Sequence, residues 1–254
     1  MEYGVVIPNH GHFGDRGAIR ELVQAAEDLG FHTAWFGDHV VVPGYAAALS
    51  SPNWFDALAC CIFGAGATTR LRFGTDVLVL PYRNPVVLSQ LVASADQLSG
   101  GRITLGVGVG YISGEFAAVG APPYAERGAV TDEYLDVLRV LWGADGGVGH
   151  HGRFVSFDDV HAGPAPLQRP LPVLVGGNGA RAFERAASRG DGWHPLFPSP
   201  EGYASGRARI EARRGELGRQ GPFTWSYSCP GVAVLDDDAP RAKPLSYDDF
   251  PDIP

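Results

Sequence analysis

The stretch Leu71–Gly110, LRFGTDVLVLPYRNPVVLSQLVASADQLSGGRITLGVGVG, decides the fold, because it contains one strand–helix–strand unit. Leu71–Leu80 and Ile103–Gly110 have strand character, and Val77–Leu80 is apolar without alternation, as in strands buried on both faces. Between them, Pro85–Leu98 has helical spacing, with proline in its first turn and glycines after its end. Two strands joined by such a helix are expected to lie parallel in one sheet.

The same alternation extends in both directions from this unit. Apolar runs predict further strands at Tyr3–Pro8, Thr33–His39, Pro172–Gly177, Asp191–Phe197 and Thr224–Leu235. Helical spacing predicts helices at Gly17–Gly30, Asn53–Ala67, Arg127–Trp142, Ala180–Arg189 and Glu201–Arg219. Asn53 is a candidate cap for its helix. Residues 143–170 are predicted to be an irregular excursion, with a hairpin through Phe154–Phe157 as one interpretation.

Seven strands alternating with helices predict an α/β fold, a TIM-type (β/α)8 barrel that forms a single domain over residues 1–254. Periodicity alone leaves a doubly wound sheet open as the alternative. A closed barrel needs an eighth strand, and residues 236–254 contain four prolines and six aspartates. That tail is therefore expected to be irregular, and the barrel to lack its eighth strand–helix unit.

Composition narrows the classes of partner. The net charge is −8 and only 19% of the residues are charged, which argues against nucleic acid because phosphate binding needs clustered Lys and Arg. No run of about 18 apolar residues predicts a membrane span. The first residues lack the pattern of a secretory signal, and three cysteines suit reduced thiols, so a cytoplasmic location is expected.

Candidate catalytic residues follow the predicted strands, since active sites of such barrels lie at the carboxyl ends of the strands. His39 ends the second strand and exchanges a proton near neutral pH, so it is the acid/base candidate. Asp38 beside it either orients this histidine or has a structural role. Asp76 lies within an apolar strand, where a carboxylate is either satisfied in the core or placed at the mouth of the barrel.

A glycine-rich turn follows the fifth strand and leads directly into a helix. Backbone N–H groups at a helix N-terminus bind phosphate, and glycines let the phosphate approach closely. The candidate phosphate-binding residues are Gly176, Gly177, Asn178, Gly179 and Ala180. An ordinary glycine turn is the competing interpretation. His194, at the end of the sixth strand, and Val109, Gly110 and Tyr111, at the end of the fourth, are further cofactor candidates.

A His-x-His pair, His10 and His12, follows the first strand, where metal-dependent barrel hydrolases place two ligands. Such a site needs further ligands at later strand ends. The fourth and fifth strands end in glycine, tyrosine and asparagine, so no metal site is predicted.

Taken together, four segments resemble the luciferase-like monooxygenase superfamily and, within it, oxidoreductases that use the deazaflavin coenzyme F420. The segments are Ala25–His39, Leu71–Gly110, Glu115–Trp142 and Pro172–Pro195. The resemblance implies that Asp38 lies near the deazaflavin ring and that His39 is the acid/base group. It also implies a non-prolyl cis peptide at Asp76-Val77 behind the ring. Val109-Gly110 would line the cofactor, and Gly176-Gly177 with Gly179-Ala180 would hold its phosphate.

One departure from the family pattern limits which family properties the resemblance implies for this chain. Sugar-phosphate dehydrogenases of the superfamily carry a catalytic Glu directly after the glycine of the fourth strand, where this chain has Tyr111. Their substrate is therefore not transferred to this chain. Arg83 and Glu115 are either site residues or surface residues.

The resemblance implies hydride transfer between coenzyme F420 and an unidentified small organic substrate. An FMN-dependent monooxygenase is the close alternative, because both cofactors share a ring system and a phosphate. A catalytically silent flavin- or deazaflavin-binding protein is a third interpretation, favoured by Tyr111 and the missing eighth strand. Members of the family often form homodimers, so a homodimer is expected.

Overall fold

The computed structural model describes residues 1–46 and 51–229. The chain divides into two compact units, Met1–Val173 and Leu174–Pro254, and each is described by itself. The prediction of one barrel domain over the whole chain stays a prediction.

The first unit alternates strands and helices in the predicted order. Its strands are β1 (Gly4–Val6), β2 (Thr33–Phe36), β3 (Arg72–Thr75), β4 (Leu78–Val79), β5 (Ile103–Gly108), β6 (Gly147–His151) and β7 (Ser156–His161). Its helices are α1 (Arg16–Asp28), α2 (Ala57–Ala67), α3 (Pro85–Ser99), α4 (Ser113–Ala118) and α5 (Arg127–Trp142). Short 3-10 turns occupy Gly11–Phe13, Gly44–Ala46, Leu80–Tyr82 and Tyr124–Glu126.

The main sheet of this unit is parallel, as predicted. Its strands follow the order β1-β2-β3-β5, and β4 also pairs with β5. In register, Val5 lies opposite Ala34, and Phe73 lies opposite Ile103. Helical crossovers impose this arrangement, because they return each strand to the same end of the sheet. The carboxyl ends of β2, β3 and β5 consequently lie side by side.

A hydrophobic core joins the sheet to the first two helices. Its fully or almost fully buried members include Ile19, Val23, Phe36, Cys61, Leu71, Phe73 and Ile103. The apolar spacing of α1 supplies one face of this core, as the helical period requires. Cys60 and Cys61 also belong to this core, and both thiols are free and buried.

The third predicted strand is split in two. β3 ends at Thr75 and β4 begins at Leu78, and the Asp76-Val77 peptide between them is cis, which confirms that expectation. The Asp76 N–H donates to the Phe36 carbonyl at 2.7 Å, which ties this interruption to the end of β2.

The predictions of where the second helix begins and of which residue caps it are wrong. α2 begins at Ala57, and Asp56 caps it by accepting from the Ala59 N–H at 2.9 Å. Asn53 instead donates its side-chain amide to the carbonyls of Gly11 and Gly14, a tertiary contact that competes with capping. The short helix α4 was not predicted at all.

Residues 147–161 form a regular hairpin, which corrects the prediction that they are irregular and confirms the hairpin interpretation of this excursion. β6 and β7 form an antiparallel hairpin, and Phe154 lies in its turn. Glu133 on α5 orders that turn by accepting from the backbone N–H groups of Arg153, Phe154 and Val155. A carboxylate 20 positions away from Arg153 thus supplies an order that local periodicity does not reveal.

Up to residue 229, where the description of the second unit ends, it contains three parallel strands and two helices. They are β8 (Val173–Gly176), α6 (Ala180–Arg189), β9 (Gly192–His194), α7 (Pro200–Glu216) and β10 (Thr224–Trp225), with β9 between β8 and β10. Trp193 is 1% exposed and stacks on Tyr203. The last predicted strand begins at Thr224 as expected. Its residues 230–235, the tail and the question of an eighth strand lie outside the described residues.

Among the helices that the structure describes, none combines the length and the apolar character needed to cross a bilayer.

Candidate active site

His39 lies just beyond the end of β2, and its ring is held on both nitrogens. Nδ1 lies 3.1 Å from Glu115 Oε2, and Nε2 lies 3.3 Å from the Tyr111 hydroxyl. The side chains of His39 and Glu115 are only 12% and 1% exposed. Helix α4 brings Glu115 to this position, and the end of β5 brings Tyr111.

The carboxylate of Glu115 accepts several hydrogen bonds and joins His39 to the neighbouring backbone and to Tyr82. Oε1 accepts from the Val40 N–H at 2.6 Å and the Val41 N–H at 3.3 Å, while Oε2 accepts from the Tyr82 hydroxyl at 2.9 Å. Burial by itself raises the pKa of Glu115, but the hydrogen bonds from His39 and Val40 outweigh it and lower that pKa. Glu115 is therefore a carboxylate at neutral pH.

The ionised state of Glu115 determines the tautomer of His39. A carboxylate only accepts hydrogen bonds, so Nδ1 of His39 carries a proton. In the neutral ring Nε2 is then an acceptor, and the Tyr111 hydroxyl donates to it. The cluster therefore forms an ordered chain from Tyr111 through His39 to Glu115.

The backbone before Tyr111 turns tightly at Gly110. Gly110 has φ +78°, and a Cβ there would stand 2.6 Å from Val79 Cγ1 and 2.8 Å from Phe116 Cε2. Only glycine fits this turn without displacement. The Tyr124 hydroxyl donates to the Tyr111 carbonyl at 3.0 Å, which holds the residue in place.

Trp54 and His10 cover another side of His39. The His10 ring stacks on Trp54 with 4.0 Å between centroids, and His39 meets the same indole edge-on at 4.8 Å. Burial, and secondly the charge of His39, lower the pKa of His10. His10 therefore remains neutral at neutral pH.

Asp38 faces away from this chain of hydrogen bonds. Its two oxygens accept from Arg83 Nη1 and Nη2 at 2.7 Å each, and Oδ2 also accepts from the Val79 N–H at 2.8 Å. Arg83 further contacts Asp56 at 2.8 Å. Burial by itself lowers the pKa of Arg83, but the hydrogen bonds and charges of these two aspartates outweigh it and raise that pKa. Asp38 thus ties the end of β2 to the segment between β4 and α3.

The other cofactor candidates of the first unit lie at the neighbouring strand ends. Val77 occupies space beside Gly108, where a Cβ would stand 2.5 Å from Val77 Cγ2. Asp76, Val109 and Gly110 are half-buried. The first unit therefore brings its predicted site residues to adjoining strand ends.

The second unit contains the glycine-rich turn. Gly177 has φ +102°, and its carbonyl accepts from Trp193 Nε1 at 2.8 Å. The Asn178 side chain donates to the Leu196 carbonyl at 2.6 Å and accepts from the Leu196 N–H at 3.0 Å. His194, 6% exposed, lies 2.8 Å from Ser226 Oγ. These contacts fix the turn to the loop after β9.

Helix α6 starts from this turn without a side-chain cap. Its N-cap is Gly179, at which no side-chain hydrogen bond caps the helix among the described residues. A Cβ on Gly179 would find no atom within 4 Å, so space remains open there. Other helices differ: Asp15 caps α1 and Asn84 caps α3.

Sequence reasoning left several members of the site unassigned. Glu115 and Arg83 were considered either site or surface residues, and both are in fact largely buried. Tyr82 and Trp54 were not considered. The local signal for Glu115 is a carboxylate followed by Phe116 in a short apolar segment. This signal does not distinguish a site residue from a surface residue.

The sequence profile of the luciferase-like monooxygenase family matches residues 1–246. An FMNH(2)-dependent dimethylsulfone monooxygenase of Pseudomonas putida is 32% identical over 177 residues, covering 69% of this chain and 47% of that protein. A Mycobacterium tuberculosis (strain ATCC 25618 / H37Rv) protein, provisionally named a coenzyme F420-dependent oxidoreductase, is 32% identical over 215 residues, covering 76% and 57% respectively.

A solved structure shows the same fold. The F420-dependent secondary alcohol dehydrogenase in complex with an F420-acetone adduct superposes with a TM-score of 0.76 at 23% identity. The match covers 86% of this chain and 65% of the other. The fold class predicted from the sequence, an α/β fold of the TIM-barrel type found in luciferase-like proteins, is therefore confirmed.

Proposed function

This chain belongs to the luciferase-like monooxygenase family, and on that basis we propose that it transfers a hydride between coenzyme F420 and a small organic substrate. The observation that carries the proposal is the His39 ring, held between Glu115 and Tyr111 at the carboxyl ends of the strands. Active sites of parallel α/β barrels lie at that end. A histidine there, with a carboxylate on Nδ1, is suited to acid/base chemistry.

The residues of the first unit fit the ring of a flavin or deazaflavin. Asp76 and Val77 lie between β3 and β4, and Gly108 leaves room for the Val77 side chain beside it. Val109 and Gly110 follow, and half-buried backbone of this kind can lie against a flat ring. Asp38 would act indirectly, because its carboxylate is bound by Arg83 and Val79.

The residues of the second unit fit a phosphate. Gly179 begins α6 with open space where a side chain would be, and no side chain among the described residues caps the helix. N–H groups at such an end, together with the helix dipole, attract an anion. Gly176, Gly177, Gly179 and Ala180 would hold the phosphate of the coenzyme. Asn178 would hold the turn, and His194 would line it.

The coenzyme, when bound, supplies the redox chemistry. The protein holds and moves the accompanying proton. Glu115 keeps Nδ1 of His39 protonated and stabilises the ring when it becomes charged, so Nε2 is the atom that gains or loses the proton. The low exposure of His39 limits exchange with solvent during this transfer.

FMN-dependent oxygenation is the second candidate. It is favoured by the 32% identity with the dimethylsulfone monooxygenase. The same residues would hold the ring and phosphate of either cofactor. The homodimer and the cytoplasmic location expected from the sequence stay predictions.

Equilibrium binding separates the two candidates. Purified protein is titrated with F420 and, separately, with FMN, and quenching of cofactor fluorescence is followed. Tight binding of F420 together with weak binding of FMN supports the proposal, and the reverse order replaces it with the second candidate. His39→Ala should keep the binding affinity and lower turnover about 10²–10⁴-fold. Unchanged turnover in that variant contradicts the role of His39.

A further inference from the structure

We propose that the Tyr111 hydroxyl, and not His39 itself, exchanges the proton with the substrate, and that the substrate is an alcohol or the corresponding carbonyl compound. This inference rests on the proposed function for its hydride partner. The observation behind it is the chain Tyr111 hydroxyl–His39 Nε2–His39 Nδ1–Glu115, with contacts of 3.3 Å and 3.1 Å.

Access to the two residues differs. The His39 side chain is 12% exposed, and both its nitrogens are engaged, by Glu115 and by Tyr111. Trp54 meets the ring edge-on, as Tyr111 does at 5.8 Å. Tyr111 is 42% exposed. Because Tyr111 is the more exposed residue and its hydroxyl already occupies Nε2 of His39, we infer that a substrate meets the tyrosine first.

The hydroxyl has the capacity that a relay needs. It offers one proton to donate and two lone pairs to accept, so it can donate to Nε2 and accept from a substrate at the same time. A histidine acceptor alone would have to release Tyr111 before it could bind a substrate oxygen. The relay requires only that protons shift along bonds already made.

Tyr111 is also positioned in advance. The tight turn at Gly110 and the hydrogen bond from Tyr124 fix its backbone. Burial, and secondly the charge of Glu115, raise the pKa of Tyr111. The phenol therefore keeps its proton at neutral pH and acts as a donor.

The step balances for oxidation of an alcohol. The alcohol O–H proton moves to the Tyr111 oxygen, and the Tyr111 proton moves to Nε2 of neutral His39. The oxidised coenzyme, when bound, would accept the hydride from the carbinol carbon as the C–O single bond becomes C=O. His39 becomes an imidazolium beside the Glu115 carboxylate. Carbonyl reduction is the same step in reverse.

The hydroxyl is removed in Tyr111→Phe, and Tyr3→Phe, at a position 65% exposed, is the matched control. We expect Tyr111→Phe to lower turnover of reduced F420 with cyclohexanone and benzaldehyde about 10²–10⁴-fold. The affinity for F420 should change less than about twofold, because the phenyl ring remains. Unchanged turnover overturns the inference, as does the lack of any turnover in a wild-type protein that binds F420.

A second readout needs no coenzyme. Side-chain ¹⁵N NMR of the protein reports the tautomer of His39 and the hydrogen bond at Nε2. The inference predicts a protonated Nδ1 and a shift of the Nε2 resonance in Tyr111→Phe that Tyr3→Phe does not cause. An identical Nε2 resonance in both variants overturns the relay. Failure of the wild type to bind F420, with the Nε2 shift still present, refutes the proposed function instead and leaves the hydrogen-bonded relay supported.

Discussion

The Glu115 carboxylate accepts a hydrogen bond from Nδ1 of His39 at 3.1 Å, although 76 positions of the chain separate the two residues. The carboxylate is buried on the short helix α4, and the histidine follows β2. This contact orders the candidate active site, because it fixes the tautomer of the ring and directs Nε2 towards Tyr111. It also links stability to pH.

Replacing Glu115 with Gln should destabilise the fold by about 1–3 kcal/mol at pH 7, because donors on Val40, Val41 and Tyr82 lose a charged acceptor. The folded pKa of Glu115 lies below its ordinary value of 4.5. Its contribution is therefore fully present above pH 4.5 and is lost as pH falls towards the folded pKa. Urea unfolding of the wild type and of Glu115→Gln should show that the difference between their free energies of unfolding shrinks from pH 7 to pH 3. Glu21→Gln, at an exposed position, is the control; a pH-independent difference contradicts the linkage.

Replacing Arg83 with Met should cost about 3–5 kcal/mol, because it leaves the Asp38 carboxylate, whose side chain is 0% exposed, without its cation. The double variant Arg83→Met, Asp38→Asn should recover part of that loss, since no buried charge remains. Arg207→Met, which breaks an exposed ion pair with Glu211, should change the stability far less, because solvent screens that pair. Equilibrium urea unfolding measures all three. Equal losses of unfolding free energy in Arg83→Met and Arg207→Met would contradict the prediction that the buried pair of Arg83 and Asp38 matters more for stability than an exposed pair.

Replacing Gly179 with Asp tests the phosphate site without damaging α6. Gly179 has φ −96° and ψ 165°, which suits an N-cap, and a capping Asp favours helix formation. Its carboxylate would occupy the N–H groups proposed to hold phosphate. Binding of F420 and FMN should weaken about 100-fold, equivalent to about 3 kcal/mol of lost charged hydrogen bonds. Gly215→Asp, on the open surface of α7, serves as the control in the same fluorescence titrations. Undiminished binding in Gly179→Asp rules out this turn as the phosphate site.

The three cysteines should differ in reactivity. Cys60 and Cys61 are buried, and burial, with the charge of Asp56 second, raises the pKa of Cys60 to about 12. Cys229 is exposed. Since the thiolate is the reactive form, the folded protein should consume one equivalent of DTNB quickly, and the unfolded protein three. Cys229→Ser should abolish the fast phase. A fast phase that persists in this variant would show that a core thiol is accessible.

The order of the elements could be predicted because it depends on local pattern. α5 and α6 occupy the ranges predicted from apolar spacing, and β1, β2, β3, β5 and β8 to β10 begin close to their predicted positions. The break between β3 and β4 at Asp76-Val77 could be expected only from the family resemblance, because no change in the spacing of apolar residues marks it. Helix α4 escaped prediction because six residues are too few to display a helical period.

The sequence by itself determined the parallel α/β fold, the strand-end position of His39 and the glycine-rich start of α6. Each depends on the period of apolar residues or on a conformation that glycine alone adopts easily. Only the tertiary structure decided that Glu115 holds His39, that Arg83 binds Asp38 across 45 positions, and that Glu133 orders the hairpin turn. Charged groups of this kind become partners when the packing of helices on the sheet buries them together. A buried charge must then be paired, and the identity of its partner depends on distance in space and leaves no regular spacing in the chain.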